Sequence, residues 1–202
     1  MRTWLDDPRT ARAMRSLVIG GIIGGVAIIG FVIYLEFAAA DQGGHMADLL
    51  PIKGARFGHM NVIAEDWSRL AAFYTDVFGC DFVPPERNYE GDDLTRGTGV
   101  AGAALRGVHL RLPGHGEAGP TIEIYQYRTS EPRTGRSVAN RIGFGHLAFQ
   151  VHDVEAAREA VLDAGGRPVG EIVTLTTAAG SKVTWCYVTD PEDNMIELQA
   201  WS

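Results

Sequence analysis

The chain has 202 residues, of which 46% are hydrophobic and 21% are charged, and its formal net charge at pH 7 is −7. These values are typical of a folded globular protein with one or two modest domains. They argue against nucleic-acid binding, which requires a basic surface that neutralises phosphates. The two cysteines, Cys80 and Cys186, lie far apart and lack CxxC spacing, so neither a disulfide framework nor a zinc ribbon is expected.

Residues 1–45 form a leader that differs in composition from the rest of the chain. Residues 17–35 contain no charged side chain and would span roughly 28 Å as a helix, which predicts a single transmembrane helix. Arginines precede this segment and acidic residues follow it. The positive-inside rule therefore predicts a membrane-anchored protein whose remaining chain lies outside the cytoplasm.

Two other interpretations of the leader stay open. The alanines at 38–40 provide an A-x-A site, as a cleavable signal peptide would require. A fused leader or a mis-assigned start would instead leave a cytoplasmic, soluble protein that begins at Met46. Gly20 and Gly24 form a small-xxx-small pair that would let two such helices approach closely, so a homodimer is also an open option.

Residues 46–202 contain an internal repeat. The segment RFGHMNVIAEDWSRLAAFYTDVFG, which begins at Arg56, aligns without a gap with GFGHLAFQVHDVEAAREAVLDAGG, which begins at Gly143. In both copies a histidine follows Phe-Gly in an apolar, strand-like run. The alignment predicts two copies of one structural unit, at 56–127 and 143–201, joined by a linker at 128–142.

Each copy predicts a strand, a helix and then further strands. Asp66 and Asp153 are natural N-caps, and Gly79 and Gly166 stand where each helix should end. Apolar residues between them recur with helical spacing. The later strands are predicted at Ala104–Leu112, Thr121–Tyr127, Val169–Val173, Val183–Thr189 and Asn194–Trp201. The fold class is therefore α+β, with two βαβββ modules.

Strand alternation places four chemically active side chains on the face away from the helices. They are His59, Glu123, His146 and Glu197, one histidine on each first strand and one glutamate on each last strand. Alone, each would be an ordinary structural or solvated residue. Together they would converge on one cavity if the sheets curve towards each other. Its expected lining is Asn61, Tyr125, Phe144, Met195 and Trp201.

Two carboxylates in one cavity repel each other and lose solvation unless a cation neutralises them. Two imidazoles and two carboxylates suit Zn²⁺, Ni²⁺, Co²⁺, Mn²⁺ or Fe²⁺ and leave positions for water or substrate. The four residues therefore predict a divalent metal site. Three features are weaker. The GxGxxG match at 97–102 lacks a strand–helix context, and Glu86–Asp93 is expected to be a solvated loop. His109 and His115 could contact an anionic substrate, but they are expected at the surface.

The paired βαβββ modules, with this histidine and glutamate pattern, resemble the vicinal oxygen chelate superfamily. Its members include glyoxalase I, methylmalonyl-CoA epimerase, extradiol dioxygenases and the fosfomycin and bleomycin resistance proteins. The stretch DPEDNMIEL at Asp190–Leu198 is especially similar to the closing strand of the family. The resemblance extends over about 56–201 and implies a curved mixed sheet around a metal cavity.

The resemblance is strongest to glyoxalase I in its four metal ligands. It implies that His59, Glu123, His146 and Glu197 bind the metal, and that Glu197 and Glu123 are the catalytic residues. The implied reaction moves a proton through an enediolate or enolate of a small substrate with adjacent oxygens, as a lyase or isomerase does. Two alternatives stay open: an Fe²⁺ extradiol dioxygenase and a metal-free binding or resistance protein.

Overall fold

The computed structural model of the protein describes residues 51–52 and 54–202. The predicted leader at 1–45, with its helix at 17–35, lies outside these residues. Within residues 51–52 and 54–202, every helix is too short or too polar to cross a bilayer.

The described chain contains nine strands and three helices in two halves. The first half contains β1 (His59–Ile63), α1 (Trp67–Phe78), β2 (Asp81–Glu90), α2 (Asp92–Thr98), β3 (Ala104–Arg111) and β4 (Thr121–Tyr127). The second half contains β5 (Leu147–Gln150), α3 (Val154–Asp163), β6 (Arg167–Pro168), β7 (Val173–Thr176), β8 (Lys182–Thr189) and β9 (Met195–Trp201). The predicted α+β class is confirmed.

The strands form two mixed sheets, whereas the sequence predicted one curved sheet. The four-stranded sheet has the order β1-β4-β3-β2, and the five-stranded sheet has the order β5-β9-β8-β6 with β7 also paired to β8. In each sheet the first strand runs parallel to the last, and the other pairs are antiparallel. The last strand of each half therefore lies between the first strand and a long antiparallel strand.

Local sequence signals account for α1. The Asp66 carboxylate accepts hydrogen bonds from the backbone N–H groups of Ser68 and Arg69, and Gly79 ends the helix in the left-handed region at φ 68°. The buried face consists of Leu70, Ala71, Phe73 and Tyr74. The predicted helix, with both of its caps, is confirmed.

The second helix departs from the prediction at its end. Asp153 caps α3 as expected, but the helix ends at Asp163 with Ala164 as its C-cap, before Gly166. A Cβ at Gly166 would overlap the carbonyl oxygen of Thr189 and lie 2.6 Å from Cγ1 of Val161. Glycine is therefore required here for close packing of the chain against β8, and the helix ends three residues earlier than Gly166.

Strand β2 and helix α2 each include part of the segment Glu86–Asp93, which was predicted to be a solvated loop. Strand β2 contains Pro84 and Pro85, which are unusual in a strand because proline cannot donate to the ladder. They lie where the pairing register with β3 shifts, between Val83 and Arg87, on the edge strand of its sheet. Helix α2 follows at once, so Glu86–Asp93 is ordered secondary structure over most of its length.

Contacts between the two halves build one hydrophobic core. Phe78 of α1 stacks on Phe149 of β5, with ring centroids 3.9 Å apart. The Tyr74 hydroxyl donates to the Asp190 carboxylate over 3.0 Å, and both residues are fully buried. The Glu192 carboxylate accepts from the backbone N–H groups of Glu65 and Asp66, at 2.7 and 2.8 Å. The turn before β9 is thereby attached to the start of α1.

We expect Tyr74→Phe to lower the free energy of unfolding by about 1–3 kcal/mol, because the buried Asp190 carboxylate loses a donor. Chemical denaturation followed by circular dichroism would measure this change. Tyr89→Phe is the matched control, since Tyr89 is 47% exposed. Equal stability of the two variants would contradict the importance of the Tyr74–Asp190 contact.

Candidate functional site

The first His–Glu pair lies on the parallel strands β1 and β4. Asn61 is the residue paired with Glu123, and His59 precedes Asn61 by two positions. Ile122 and Ile124 enter the core, so Glu123 points to the opposite face. His59 Nε2 lies 3.5 Å from Glu123 Oε2. His59 and Glu123 therefore lie close to each other on the predicted face of the sheet.

The second pair repeats this geometry. Ala148 is the residue paired with Glu197 across β5 and β9, and His146 precedes Ala148 by two positions. Ile196 and Leu198 are buried in the core, so Glu197 also points away from the helix. His146 Nε2 lies 2.8 Å from Glu197 Oε2. His146 stands immediately before β5 and not within a strand as predicted, because ladder pairing with β9 begins at Leu147.

The two pairs differ in exposure. The side chains of Glu123 and Glu197 are only 12% and 17% exposed, whereas that of His59 is 53% exposed. Each glutamate is thus largely desolvated and touches an imidazole. Among residues 51–52 and 54–202, no group of three or more His, Cys, Asp or Glu side chains lies close enough together to bind a metal ion. The four predicted ligands are therefore present as two separate pairs.

His109 is a residue of this site that the sequence analysis placed at the surface. It is paired with Glu123 across β3 and β4. Its Nε2 lies 3.1 Å from Glu123 Oε1 and 2.7 Å from the hydroxyl oxygen of Tyr125. Val108 and Leu110 enter the core, so alternation along β3 could have placed His109 on the site face. The register that sets it against Glu123 is not visible in the sequence.

Burial changes the pKa values of His109 and Tyr125, which both lie beside Glu123. It lowers the pKa of His109, and this effect exceeds the opposing attraction of the Glu123 carboxylate. Burial, together with the adjacent Glu123 carboxylate, raises the pKa of Tyr125 to about 12. Tyr125 is therefore a neutral hydroxyl at physiological pH. In this position it is a hydrogen-bonding group for His109 rather than a free lining residue.

Tyr187 takes the corresponding place in the second sheet. It is paired with Glu197 across β8 and β9, and its ring centroid lies 5.1 Å from that of His146. Burial, followed by the nearby Glu197 carboxylate, raises the pKa of Tyr187. Glu123 is thus paired with a histidine on β3, whereas Glu197 is paired with a tyrosine on β8.

A cavity of about 640 Å³ lies beside β1 and the segment that leads into β5. Four of the predicted site residues line it: His59, Asn61, Phe144 and Met195. The other predicted site residues are not part of this lining: Glu123, His146, Glu197, Tyr125 and Trp201. Trp201 stands at the far end of β9, is about half exposed, and donates from Nε1 to Gln199 Oε1 over 3.0 Å. The predicted lining is therefore only partly observed.

The predicted linker contributes polar groups to the same cavity. Arg133 donates to Asn194 Oδ1 over 2.5 Å and to Ser137 Oγ over 3.2 Å, and all three residues line the cavity. The Ser137 N–H donates to the Asp193 carboxylate over 2.6 Å. These contacts attach the linker to the turn before β9, so its position depends on tertiary contacts that no motif in the sequence indicates.

Comparisons with known proteins agree with this architecture. A family model described as the Glyoxalase/Bleomycin resistance protein/Dioxygenase superfamily matches residues 56–198. The chain is 29% identical over 145 residues to a 2-epi-5-epi-valiolone epimerase from Actinomyces sp, a match that covers 69% of this chain and 76% of the relative. A crystal structure of a glyoxalase family protein from Bacillus cereus is similar in fold, with a TM-score of 0.64 at 20% identity, covering 76% of this chain and 98% of that chain.

Proposed function

Because the chain belongs to the Glyoxalase/Bleomycin resistance protein/Dioxygenase superfamily, we propose that it is a divalent-metal-dependent enzyme that moves a proton at a carbon next to a carbonyl. An epimerase or other isomerase is the reaction type that we favour over a lyase. One relative of this chain is named as an epimerase, which supports this preference. The substrate is a small molecule with adjacent oxygen atoms.

The observation that carries this proposal is the match between the two His–Glu pairs. In both sheets the histidine stands two positions before the residue paired with the glutamate, on the face away from the core. Both glutamates are largely buried and both contact an imidazole. Burying a carboxylate is costly unless a hydrogen-bonding or charged group partners it. The imidazoles partner these two carboxylates, and a bound cation is the other kind of group that would do so.

The two His–Glu pairs provide nitrogen and oxygen ligands that suit a divalent ion, although the two pairs lie apart from each other in the described part of the chain. His59, Glu123, His146 and Glu197 would bind Zn²⁺, Ni²⁺, Co²⁺, Mn²⁺ or Fe²⁺, which accept imidazole and carboxylate ligands. Binding all four to one ion requires the two pairs to approach each other. When bound, the ion would supply positive charge beside two adjacent substrate oxygens and so make the neighbouring C–H more acidic.

Glu197 is the proton-transfer group in this proposal. Among residues 54–202, the His146 imidazole is the one polar group within hydrogen-bonding distance of the Glu197 carboxylate. When that imidazole moves away, the carboxylate can accept a proton from the substrate and return it. The cavity beside the first pair is lined by His59, Asn61, Phe144 and Met195, which would hold the substrate. Glu197 lies outside this lining and reaches the substrate when the two pairs approach each other. The volume of about 640 Å³ is within the usual range for small-molecule sites.

Metal analysis of the purified full-length chain tests this proposal. We expect about one ion per chain in the wild type, and nearly complete loss in both His59→Ala and His146→Ala, because each pair alone supplies only two ligands. His152→Ala is the matched control, since His152 is exposed and lies outside both pairs. If each single variant kept half of the metal, the pairs would bind separate ions and the shared site would be wrong.

Two further results would overturn the proposed reaction. Iron in the protein with oxygen consumption on catechols would indicate an extradiol dioxygenase. Reversible binding of a small molecule by metal-free protein, with no turnover, would indicate a binding or resistance protein. Exchange of a substrate C–H with deuterium from solvent would support the isomerase, and 2-epi-5-epi-valiolone is the first substrate to test because of the named relative.

A further inference from the structure

Arg87 is a cationic residue on the face of the first sheet that carries Glu123. It is paired with Gly107 across β2 and β3, and Gly107 is paired with Tyr125 across β3 and β4. Residues paired in this way point to the same face of a sheet. Tyr125 stands two positions after Glu123, on the face away from the core. The side chain of Arg87 therefore shares a face with the Glu123 carboxylate.

The guanidinium group of Arg87 has a donor without an acceptor. Val83 and Arg87 are the two partly buried residues of β2, and the other residues of this strand are exposed. The Nη1 atom of Arg87 is buried and has no hydrogen-bond partner within the described part of the chain, residues 51–52 and 54–202. A guanidinium is always charged and can only donate. A buried donor of this kind has lost its hydration without compensation, so an acceptor on a bound molecule would satisfy it.

The polar side chains beside this group have partners of their own. The Tyr125 hydroxyl oxygen lies 2.7 Å from His109 Nε2, and the Glu123 carboxylate lies 3.5 Å from His59 Nε2. Burial is the main cause of the lowered pKa of His109, and the Arg87 charge lowers it further. The same charge lowers the pKa of Tyr125, against the larger effect of burial. The Arg87 charge is thus within electrostatic range of these side chains.

Gly107 leaves the space between Arg87 and Tyr125 open at the level of the sheet. A Cβ at this position would overlap the carbonyl oxygen of Ile124 and lie 2.7 Å from Cδ1 of Tyr125. Adjacent strands are about 4.8 Å apart, so the backbones of Arg87 and Tyr125 are separated by roughly 10 Å. The long side chain of Arg87 can cross the glycine and bring its charge towards the middle of the face.

The equivalent row of the second sheet has an apolar residue in place of this arginine. Gln199, Trp185 and Val173 are paired across β9, β8 and β7. Gln199 stands two positions after Glu197, so Val173 takes the place that Arg87 has in the first sheet. A molecule that contacts both sheets would therefore meet a cation in this row of the first sheet and a valine in the second.

From this unpartnered donor, and resting on the proposed function, we propose that Arg87 binds an oxyanion group, a carboxylate or a phosphate, of the substrate. The substrate class is then an anionic small molecule whose charged group lies over the first sheet. The planar guanidinium presents parallel N–H donors that fit two oxygens of either group. Arg87 is a specificity residue in this proposal and moves no proton.

Guanidinium ¹H–¹⁵N NMR of the metal-free, full-length protein tests the anion site, with inorganic phosphate and acetate as probes. The Arg87 resonance is the one that Arg87→Gln removes. We expect at least one probe to shift it, and the probe that binds more tightly identifies the group that the substrate carries. Followed at the Gly107 amide, binding of that probe should weaken by about 10-fold or more in Arg87→Gln, and Arg87→Lys should recover part of it. An Arg87 resonance that neither probe shifts would overturn the proposal.

Two comparisons separate a binding role from a structural one. Arg128→Gln is the matched control, since Arg128 is an exposed arginine paired with Glu90. Loss of probe binding in Arg128→Gln, with binding kept in Arg87→Gln, would overturn the proposal. Because Nη1 has no partner to lose, Arg87→Met should have a melting temperature no lower than that of the wild type while losing probe binding. A lower melting temperature with probe binding kept would indicate a structural residue.

The link to the substrate is tested by inhibition of deuterium exchange in the metal-loaded, full-length enzyme. We expect the probe to raise KM without changing kcat in the wild type, and to inhibit Arg87→Gln about 10-fold less strongly. Equal inhibition of the two proteins would show that the probe acts elsewhere and would overturn the proposal. Failure of the wild type to bind metal would overturn the proposed function alone, because the NMR experiment needs neither metal nor substrate.

Discussion

Replacing Glu197 by glutamine should reduce deuterium exchange and epimerisation of the substrate by about 10²- to 10⁴-fold, the usual contribution of a general base. Glutamine has nearly the same size and still provides a carbonyl oxygen, but it cannot accept the substrate proton. Since His146 is 2.8 Å from Oε2, the pair should otherwise keep its position. Proton NMR of the substrate in D₂O measures both the exchange and the change of configuration.

Glu90→Gln is the matched control for this substitution. Glu90 forms an exposed ion pair with Arg128, and both side chains are 69% exposed, so its charge can be removed without effect on the cavity. Full activity in Glu197→Gln would remove Glu197 from the mechanism. A large loss in Glu123→Gln alone, without loss of metal, would assign the proton transfer to the other glutamate.

Gly107→Ala should lower the free energy of unfolding by about 3 kcal/mol or more, at the upper end of the usual effect of overpacking. The added methyl group would overlap the backbone carbonyl oxygen of Ile124. A backbone atom within a hydrogen-bonded ladder cannot turn aside as a flexible side chain can, so β3 and β4 must separate locally. For a domain of this size, roughly 6–12 °C would be lost from the melting temperature.

Gly170→Ala is the control for this experiment. A Cβ at Gly170 would meet no heavy atom within 4 Å, so only a small change in stability is expected. Differential scanning calorimetry of the two variants and the wild type would compare them. If Gly107→Ala had the same melting temperature as the wild type, the close approach of β3 to β4 at this position would be wrong.

Several parts of the fold could be predicted because their signals are local. The caps at Asp66 and Gly79 act within one turn of helix, and both were identified correctly. Alternation along a strand depends only on neighbouring residues, and it placed Glu123 and Glu197 on the face away from the core. The repeat indicated that each half begins with a strand and a helix and ends with paired strands, but α2 in the first half and β7 in the second depart from the predicted common order.

Other parts could not be predicted because they depend on distant residues. Strand β2 contains a Pro-Pro pair that argues against a strand, and it is accepted because the pair lies in a register shift on an edge strand. Helix α3 ends before Gly166, and Gly166 is instead required for close packing against β8. The residue types along the chain reveal neither the register shift in β2 nor the packing of Gly166 against β8.

Residue type, strand alternation and an internal repeat can be read along the chain, and they were enough to select His59, Glu123, His146 and Glu197 as candidate site residues, although not His109. Their grouping became visible only in the folded chain: two pairs in two sheets, with His109 opposite Glu123 and Tyr187 opposite Glu197. Pairing register and the approach of separate sheets come from contacts between residues far apart in the chain, and periodicity within one strand contains no information about them.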